Sequence, residues 1–167
     1  MHKIFFLSVA IFLVGCVGYT LGPIPPTFMK GIHRIAVPIF RNTTVAVDVE
    51  ALTTTTVIKQ IQQDGTYEVT GVDHSDAIVE GVISNVQRYR ARYLTGNVLA
   101  SYEYRLQLTI HVQVVRPTTG ELLGQRDVIG TSSFFTGSDI AAQERQAIPQ
   151  AVEDAAAQLV SYLSEGW

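Results

Sequence analysis

The chain predicts an α+β domain, a two-layer sandwich in which two helices pack on one face of a mainly antiparallel sheet. Three observations lead there. A strict alternation of apolar and polar residues runs over 102–114, the mark of a strand with one buried and one solvated face. Two segments carry a single apolar stripe at helical spacing, one upstream of that strand and one at the end of the chain. The elements then follow as strand, helix, several antiparallel strands, helix, which suits two amphipathic helices covering a sheet.

The first residues lie outside that domain. His2 and Lys3 precede an apolar run over 4–14, and Leu13-Val14-Gly15-Cys16 closes the segment. A basic start before a short apolar core is the pattern of a signal peptide. About a dozen apolar residues also fall short of the roughly 20 that a mature spanning helix needs. Two branched aliphatic residues, a glycine and a cysteine in that order resemble the bacterial lipoprotein box. There the thiol receives a diacylglycerol before cleavage, and the freed amine is then acylated. Residues 1–15 are expected to be removed and Cys16 to carry the lipid, the only cofactor-like group anticipated. Cys16 is the sole cysteine of the chain, so no disulfide competes for it. Acyl chains contribute about 0.8 kcal/mol per buried CH₂ and together hold such a protein to a membrane durably. Val17 stands where an aspartate would resemble an inner-membrane retention signal, which points to the outer membrane.

Removing 15 of 167 residues leaves 152, enough for one domain with a real core. The formal charge of −3 becomes −4, because Lys3 is the one charged residue among 1–15. An acidic balance argues against a nucleic-acid partner. Charged residues make up only 16% of the chain. Threonine, serine, glutamine and asparagine take their place, as suits a surface that lives against another protein.

Residues 16–31 read as the lipidated cysteine and an extended tether, since Gly18, Gly22, Pro23, Pro25, Pro26 and Gly31 forbid a regular element. Residues 32–167 read as a single domain. Its first strand is expected over 32–40, with Ile35, Val37 and Ile39 on one face. Pro38 cannot donate to a ladder, so this is an edge strand or ends in a bulge. Arg41-Asn42-Thr43-Thr44 is a turn and helix-start cluster. Val47, Ala51, Thr54, Ile58 and Ile61 then recur at spacings of 4, 3, 4 and 3 with Val57 beside them, one helical stripe weakened by the poor helix formers Thr53 to Thr56. Asp64-Gly65 stops it.

Residues 67–70 form a short strand and 71–76 a turn. A long strand over 77–93 follows, whose inward parity changes from Ile78, Val82 and Val86 to Tyr89, Ala91 and Tyr93. That change places a bulge near Gln87, unless both faces are partly covered. Thr95-Gly96-Asn97 forms a loop. Tyr102, Tyr104, Leu106, Leu108, Ile110, Val112 and Val114 share the buried face of the next strand, and Pro117-Thr118-Thr119-Gly120 turns it into a hairpin with 121–135. Gly137-Ser138-Asp139 opens the last helix, striped by Ile148, Val152, Ala155, Leu159 and Leu163. Pro149 lies inside it at a cost of about 3 kcal/mol, so a break or kink is expected there.

No constellation looks catalytic or metal-binding. His33, His74 and His111 fall in separate elements without metal-ligand spacing, and Asp73-His74-Ser75-Asp76 reads as a turn rather than paired acids with Glu80. No phosphate loop, nucleophile elbow or Cys-x-x-Cys pair is present, so an enzyme is not expected. Arg88, Arg90 and Arg92 differ. Residues two apart on a strand share a face, and a row of planar guanidiniums suits phosphate recognition. A basic edge that discourages foreign strands is the other reading.

At Arg34-Ile35-Ala36-Val37-Pro38-Ile39-Phe40-Arg41-Asn42-Thr43-Thr44 the chain resembles the lipopolysaccharide-assembly lipoprotein family LptE. The likeness continues through Gly18-Tyr19 behind the lipobox, Tyr67-Glu68-Val69, Asp76-Ala77 to Gly81, and Asp139-Ile140 with Glu144. It covers nearly all the mature chain, and the order of these weak motifs carries it. The resemblance implies a four-stranded sheet, with room for one short extra strand, and two helices. It implies a plug on the periplasmic side of the outer membrane inside an LptD-like β-barrel, assisting lipopolysaccharide transfer to the cell surface. Barrel and lipopolysaccharide are the implied partners; the family carries no firm signature of binding residues, and Arg88, Arg90 and Arg92 are the candidate contacts on their strand spacing. The alternative class is another envelope lipoprotein, such as a peptidoglycan-synthase activator or a secretion-channel component. A regulator of that kind needs a longer tether to reach through the periplasm.

Overall fold

The computed structural model describes residues 25–93, 102–135 and 139–166, with the backbone alone at 91–93 and 102. In chain order these hold β1 (Arg34–Ala36), β2 (Arg41–Asn42), α1 (Val49–Asp64), β3 (Glu68–Val69), β4 (Ala77–Tyr93), β5 (Tyr102–Val115), β6 (Leu122–Phe135) and α2 (Ile140–Glu165). The strands make one open sheet in the order β3-β1-β4-β5-β6, with β2 also beside β4. The helices form the second layer: α2 lies on β5 and β6, and α1 packs against α2 and along β2 and β3.

The sheet is mixed and six-stranded, where four strands with room for one short extra strand were expected; its three long strands are antiparallel as expected, and the short strands add parallel pairings. Only β4–β5 and β5–β6 are antiparallel. β1 runs parallel to β3 and β4, and β2 runs parallel to β4. The reason is α1, a crossover helix that returns the chain to the end of the sheet it left, so the strands around it align in one direction.

Strand β1 ends at Ala36, two residues before Pro38, and the chain resumes pairing as β2. Ile39 therefore leaves the expected apolar face and is exposed, while Phe40 turns into the core. Its ring lies over Gly81, where an added Cβ would come within 2.5 Å of it. Asp76 fastens β1 to the start of β4. Its carboxylate accepts from the backbone N–H groups of His33 (3.1 Å) and Arg34 (2.9 Å) and from the Arg34 guanidinium (3.1 Å), while its own N–H donates to Arg34 O. These backbone donors, foremost that of Arg34, pull the Asp76 carboxyl down to about 2. A carboxylate depressed in the folded state adds stability that is full above its unfolded value near 4 and lost as pH falls through about 2. Asp76→Asn is therefore expected to melt lower than the parent at neutral pH, with the gap closing between about pH 4 and pH 2. A gap that stays constant over that range in thermal melts would show that the charge has no part in the clasp.

The parity of β4 is the opposite of the expected one in its first half. Ala77, Val79, Gly81 and Ile83 are buried, and Ile78 and Val82 lie on the other face. The register slips between Ile83 and Asn85, so the bulge sits at Ser84 rather than near Gln87, and beyond it the even positions turn inward. Strand β5 follows its alternation as read: Tyr104, Leu106, Leu108, Ile110, Val112 and Val114 are buried. The Tyr102 side chain lies outside the described residues.

Helix α1 starts at Val49, so Val47 precedes it and is exposed. Its buried stripe is Val49, Thr53, Thr54, Val57 and Ile61, rotated from the expected one. Threonines fit there because a helical hydroxyl can return to the preceding turn. Thr54 Oγ1 donates to Glu50 O (2.7 Å) and accepts from Phe40 N–H (2.9 Å). Thr53 Oγ1 is buried with no partner among the described residues.

Helix α2 runs unbroken through Pro149, contrary to a break. The proline lacks the N–H that would bond the Arg145 carbonyl, and both residues are exposed, on the side of the helix where a missing backbone bond costs least. Asp139 caps the helix by accepting from Ala142 N–H (3.0 Å). Gly130 on β6 and Ala151 and Ala155 on α2 let helix and strand approach closely. Asp154, Gln158 and Tyr162, four apart on one ridge, then reach the outer edge of β6. Thr131 N–H donates to Asp154 (2.8 Å), Gln158 donates to Ile129 O (2.9 Å) and Tyr162 OH to Gln125 O (3.4 Å). This covers an edge that would otherwise invite another strand.

Of the expected tether, the described part is docked. Residues Thr27–Met29 form one 3₁₀ turn, Met29 is buried and Phe28 stacks on Tyr162 with ring centroids 4.8 Å apart. Among the described residues no helix is long and apolar enough to cross a membrane.

Candidate functional site

The expected lipidation site, Cys16, lies outside the described residues. The arginine row is described in part. The slip at Ser84 places Arg88 opposite Leu106 and Arg90 opposite Tyr104, so both belong to the helix-side face. Arg88 Nη1 donates to Glu144 Oε2 on the second turn of α2 at 2.5 Å. Arg90 Nε donates to the Tyr104 hydroxyl (3.3 Å), whose ring stacks on Phe134 at 5.8 Å between centroids. A second register slip separates Arg90 from Arg92, which pairs with Glu103. The Arg92 side chain lies outside the described residues. Two of the three arginines are thus brought together at one pole, where β4 passes the first turns of α2.

Beside them stands a loop that the sequence pointed to only as a turn. Asn42 organises it. Its Nδ2 donates to Ala46 O (2.6 Å) and to Glu50 (3.0 Å), and its Oδ1 accepts from Thr44 N–H and the Thr44 hydroxyl (both 2.8 Å). Thr43 ties the loop to β4 through Ile83 O, and Asp48, at φ 60°, turns it into α1. This cage holds Val45 100% and Val47 83% exposed. Between the loop and α2 lies a crevice of about 330 Å³ walled by Val45, Val47, Val86 and Ile148, with Glu144 and Arg145 among its lining residues. The sequence reading assigned Val47 to a buried helical stripe. The signal that it missed is the turn cluster itself, whose side chains hold the following residues out of the helix.

The histidines remain apart. His33 and His74 are exposed, and His111 meets Asp127 across β5 and β6 on the polar face of the sheet. Among the described residues no group of three metal-ligating side chains forms. This pole offers apolar surface and guanidinium donors, the means to hold an amphiphile or a protein wall.

No protein of curated function matches the chain in sequence. Its fold is similar to that of a neuraminyllactose-binding hemagglutinin homologue from Helicobacter pylori, with a TM-score of 0.56 at 11% identity over 90% of this chain and 93% of that one. A Xanthomonas campestris protein is similar too, with a TM-score of 0.52 at 12% identity over 84% and 91%. At such identities the likeness is one of fold alone. The sequence profile of the lipopolysaccharide-assembly family LptE matches residues 32–163, from the entrance of β1 to the last turn of α2, and the chain therefore belongs to that family.

Proposed function

We propose that this chain is an outer-membrane lipoprotein, held on the periplasmic side by lipidated Cys16, that seats inside an LptD-type β-barrel and assists lipopolysaccharide assembly at the cell surface without catalysing a reaction. The family match across the whole folded domain carries the reading. The helix-free face of the sheet supports it: Gln107, Thr109, Gln113 and Ser133 project there, and barrel interiors are polar. Tether length supports it as well. Ten residue steps separate Cys16 from Pro26, where the docked turn begins, so the domain stays within roughly 35 Å of its anchor. A regulator that works across the periplasm needs more reach.

Arg88, Arg90 and Arg92 are the proposed contacts to lipid A phosphates or an acidic barrel wall. The test is purification of the mature protein in mild detergent, where a large β-barrel is expected to accompany it and its N-terminus to weigh as acylated Cys16. A barrel-free preparation or an unmodified Cys16 would sink the reading. Changing all three arginines to glutamine is expected to weaken salt-sensitive lipopolysaccharide binding with little change in melting, since exposed ion pairs such as Arg88–Glu144 stabilise by under about 1 kcal/mol. Unchanged binding would remove the row from the proposal and leave it as a guarded edge.

A further inference from the structure

We propose that the outer edge of β4 beyond Ile83 accepts an extended strand from a partner polypeptide, with the crevice beside the 42–48 loop taking its side chains. The inference goes beyond the assembly reading and does not rest on it. Hydrogen bonds on β6 fix which backbone groups face that edge. Thr131 N–H and the Ile129 carbonyl point outward from β6 to Asp154 and Gln158. Their cross-strand neighbours Gln107 and Thr109 therefore turn their backbone groups toward β4, where they meet Gln87 and Asn85. By the same alternation Val86 and Arg88 direct their N–H and C=O groups away from β5. Strand β2 stops at Asn42 opposite Ile83, and Thr43 N–H closes on the Ile83 carbonyl. Among the described residues no strand lies on this side of β4 beyond that point, and residues 87–90 are exposed. The α2 ridge closes the edge of β6, whereas this edge is left as a template for strand addition.

Donors and acceptors at ladder spacing are matched by another backbone, which makes the occupant an extended polypeptide. Val86 belongs to the helix-side face and lines the crevice. A residue of the added strand beside Val86 would thus point between Val45, Val47 and Ile148, and an apolar side chain suits that position. About 330 Å³ takes side chains and not a folded element. The Asn42 hydrogen bonds hold Val45 and Val47 in place beforehand, so the slot costs little to organise. Charge does not bar the way, because Glu144 draws the Arg88 guanidinium toward α2 and off the ladder. A second copy paired about a two-fold axis would set both copies' Arg88 and Arg90 side by side on one face, which like-charge repulsion opposes. The wall of a closed barrel has every strand paired, so the donor is a loop or tail of the partner.

The test reads amide exchange residue by residue in the mature lipidated protein in mild detergent. Without a partner, the Val86 and Arg88 amides should exchange about tenfold or more faster than those of Gln87 and Tyr89, which face β5. The probe is a short peptide of alternating valine and threonine. It should protect Val86 and Arg88, and the same peptide with its backbone nitrogens methylated should not. Val45→Asp/Val47→Asp should weaken the peptide about tenfold at unchanged melting, because both side chains are exposed. Arg88→Pro should abolish protection, since proline is tolerated where an edge N–H faces solvent yet blocks the ladder. The methylated peptide asks the same question of the unaltered protein if that variant fails to fold. Val86 and Arg88 amides as slow as Gln87 without peptide would mean an edge already paired and overturn the proposal. Protection that grows with protein concentration alone makes the occupant a second copy and overturns it too, as does a peptide that protects neither amide or acts equally well when methylated. If no barrel accompanies the protein while the peptide docks, the assembly role fails and the strand site stands.

Discussion

Adding one methyl group at Gly130 is expected to cost the domain about 3 kcal/mol or more, the upper part of the overpacking range. A Cβ at this position would sit 1.9 Å from Ala151 O, 2.7 Å from Ala155 Cβ and 2.8 Å from Ala155 N. Two of these are helix backbone atoms, so no rotamer change relieves the clash. Relief requires α2 to lift from β6. The contacts on either side oppose that movement: Ser132 Oγ donates to Ala147 O at 2.8 Å, and Thr131 N–H is held by Asp154. At about 3 °C per kcal/mol for a chain of this size, Gly130→Ala should melt roughly 10 °C lower. Gly71→Ala is the control, since a Cβ there meets nothing within 4 Å and the residue has no positive φ. Equal melting of the two variants would show that helix and strand are not in close contact at Gly130.

Leu108→Ala is expected to cost about 2 to 5 kcal/mol, the range for emptying a buried leucine site. Leu108 is completely buried in the middle of β5, between Val86 on β4 and Gly130 on β6. Gln107 next to it points to the polar face, and Gln107→Ala should change stability by under about 0.5 kcal/mol. Equal losses at the two positions in denaturant titrations would invert the face assignment of the whole strand. Because Leu108 and Gly130 are cross-strand neighbours, the double variant should depart from the sum of the single effects. An alanine cavity beside the added methyl gives α2 and β6 some room to relax.

The faces of β5 were legible because Tyr104 to Val114 alternate without interruption, and a two-residue period assigns a face to every side chain once one of them is buried. The hairpin at Pro117-Thr118-Thr119-Gly120 was legible from turn chemistry, and Gly120 takes the left-handed φ of 68° there. Strand β4 was not. Its inward positions include Ala77 and Gly81, which carry little apolar signal of their own, and Gly81 is buried because Phe40 lies over it from another segment. The same holds for the arginine row. Spacing alone put Arg88, Arg90 and Arg92 on one face, yet which face Arg88 and Arg90 take depended on the register slip at Ser84.

Local pattern by itself determined the two helical segments, the long amphipathic strand, the hairpin and, through the order of weak motifs, the family. Each depends on residues near one another in the chain, where periodicity and turn preference act. Tertiary structure alone decided that the sheet is mixed, that threonines line a buried helix face, that Pro149 leaves α2 intact, and that Val45 and Val47 stand in water beside Arg145. Those outcomes depend on which group meets each side chain or backbone atom once the chain has folded: the Phe40 N–H for Thr54 and the Asn42 cage for the valine loop. A buried polar group is costly unless a partner arrives; for Thr54 the partner comes from another segment of the fold, while Thr53 Oγ1 stays buried without one among the described residues.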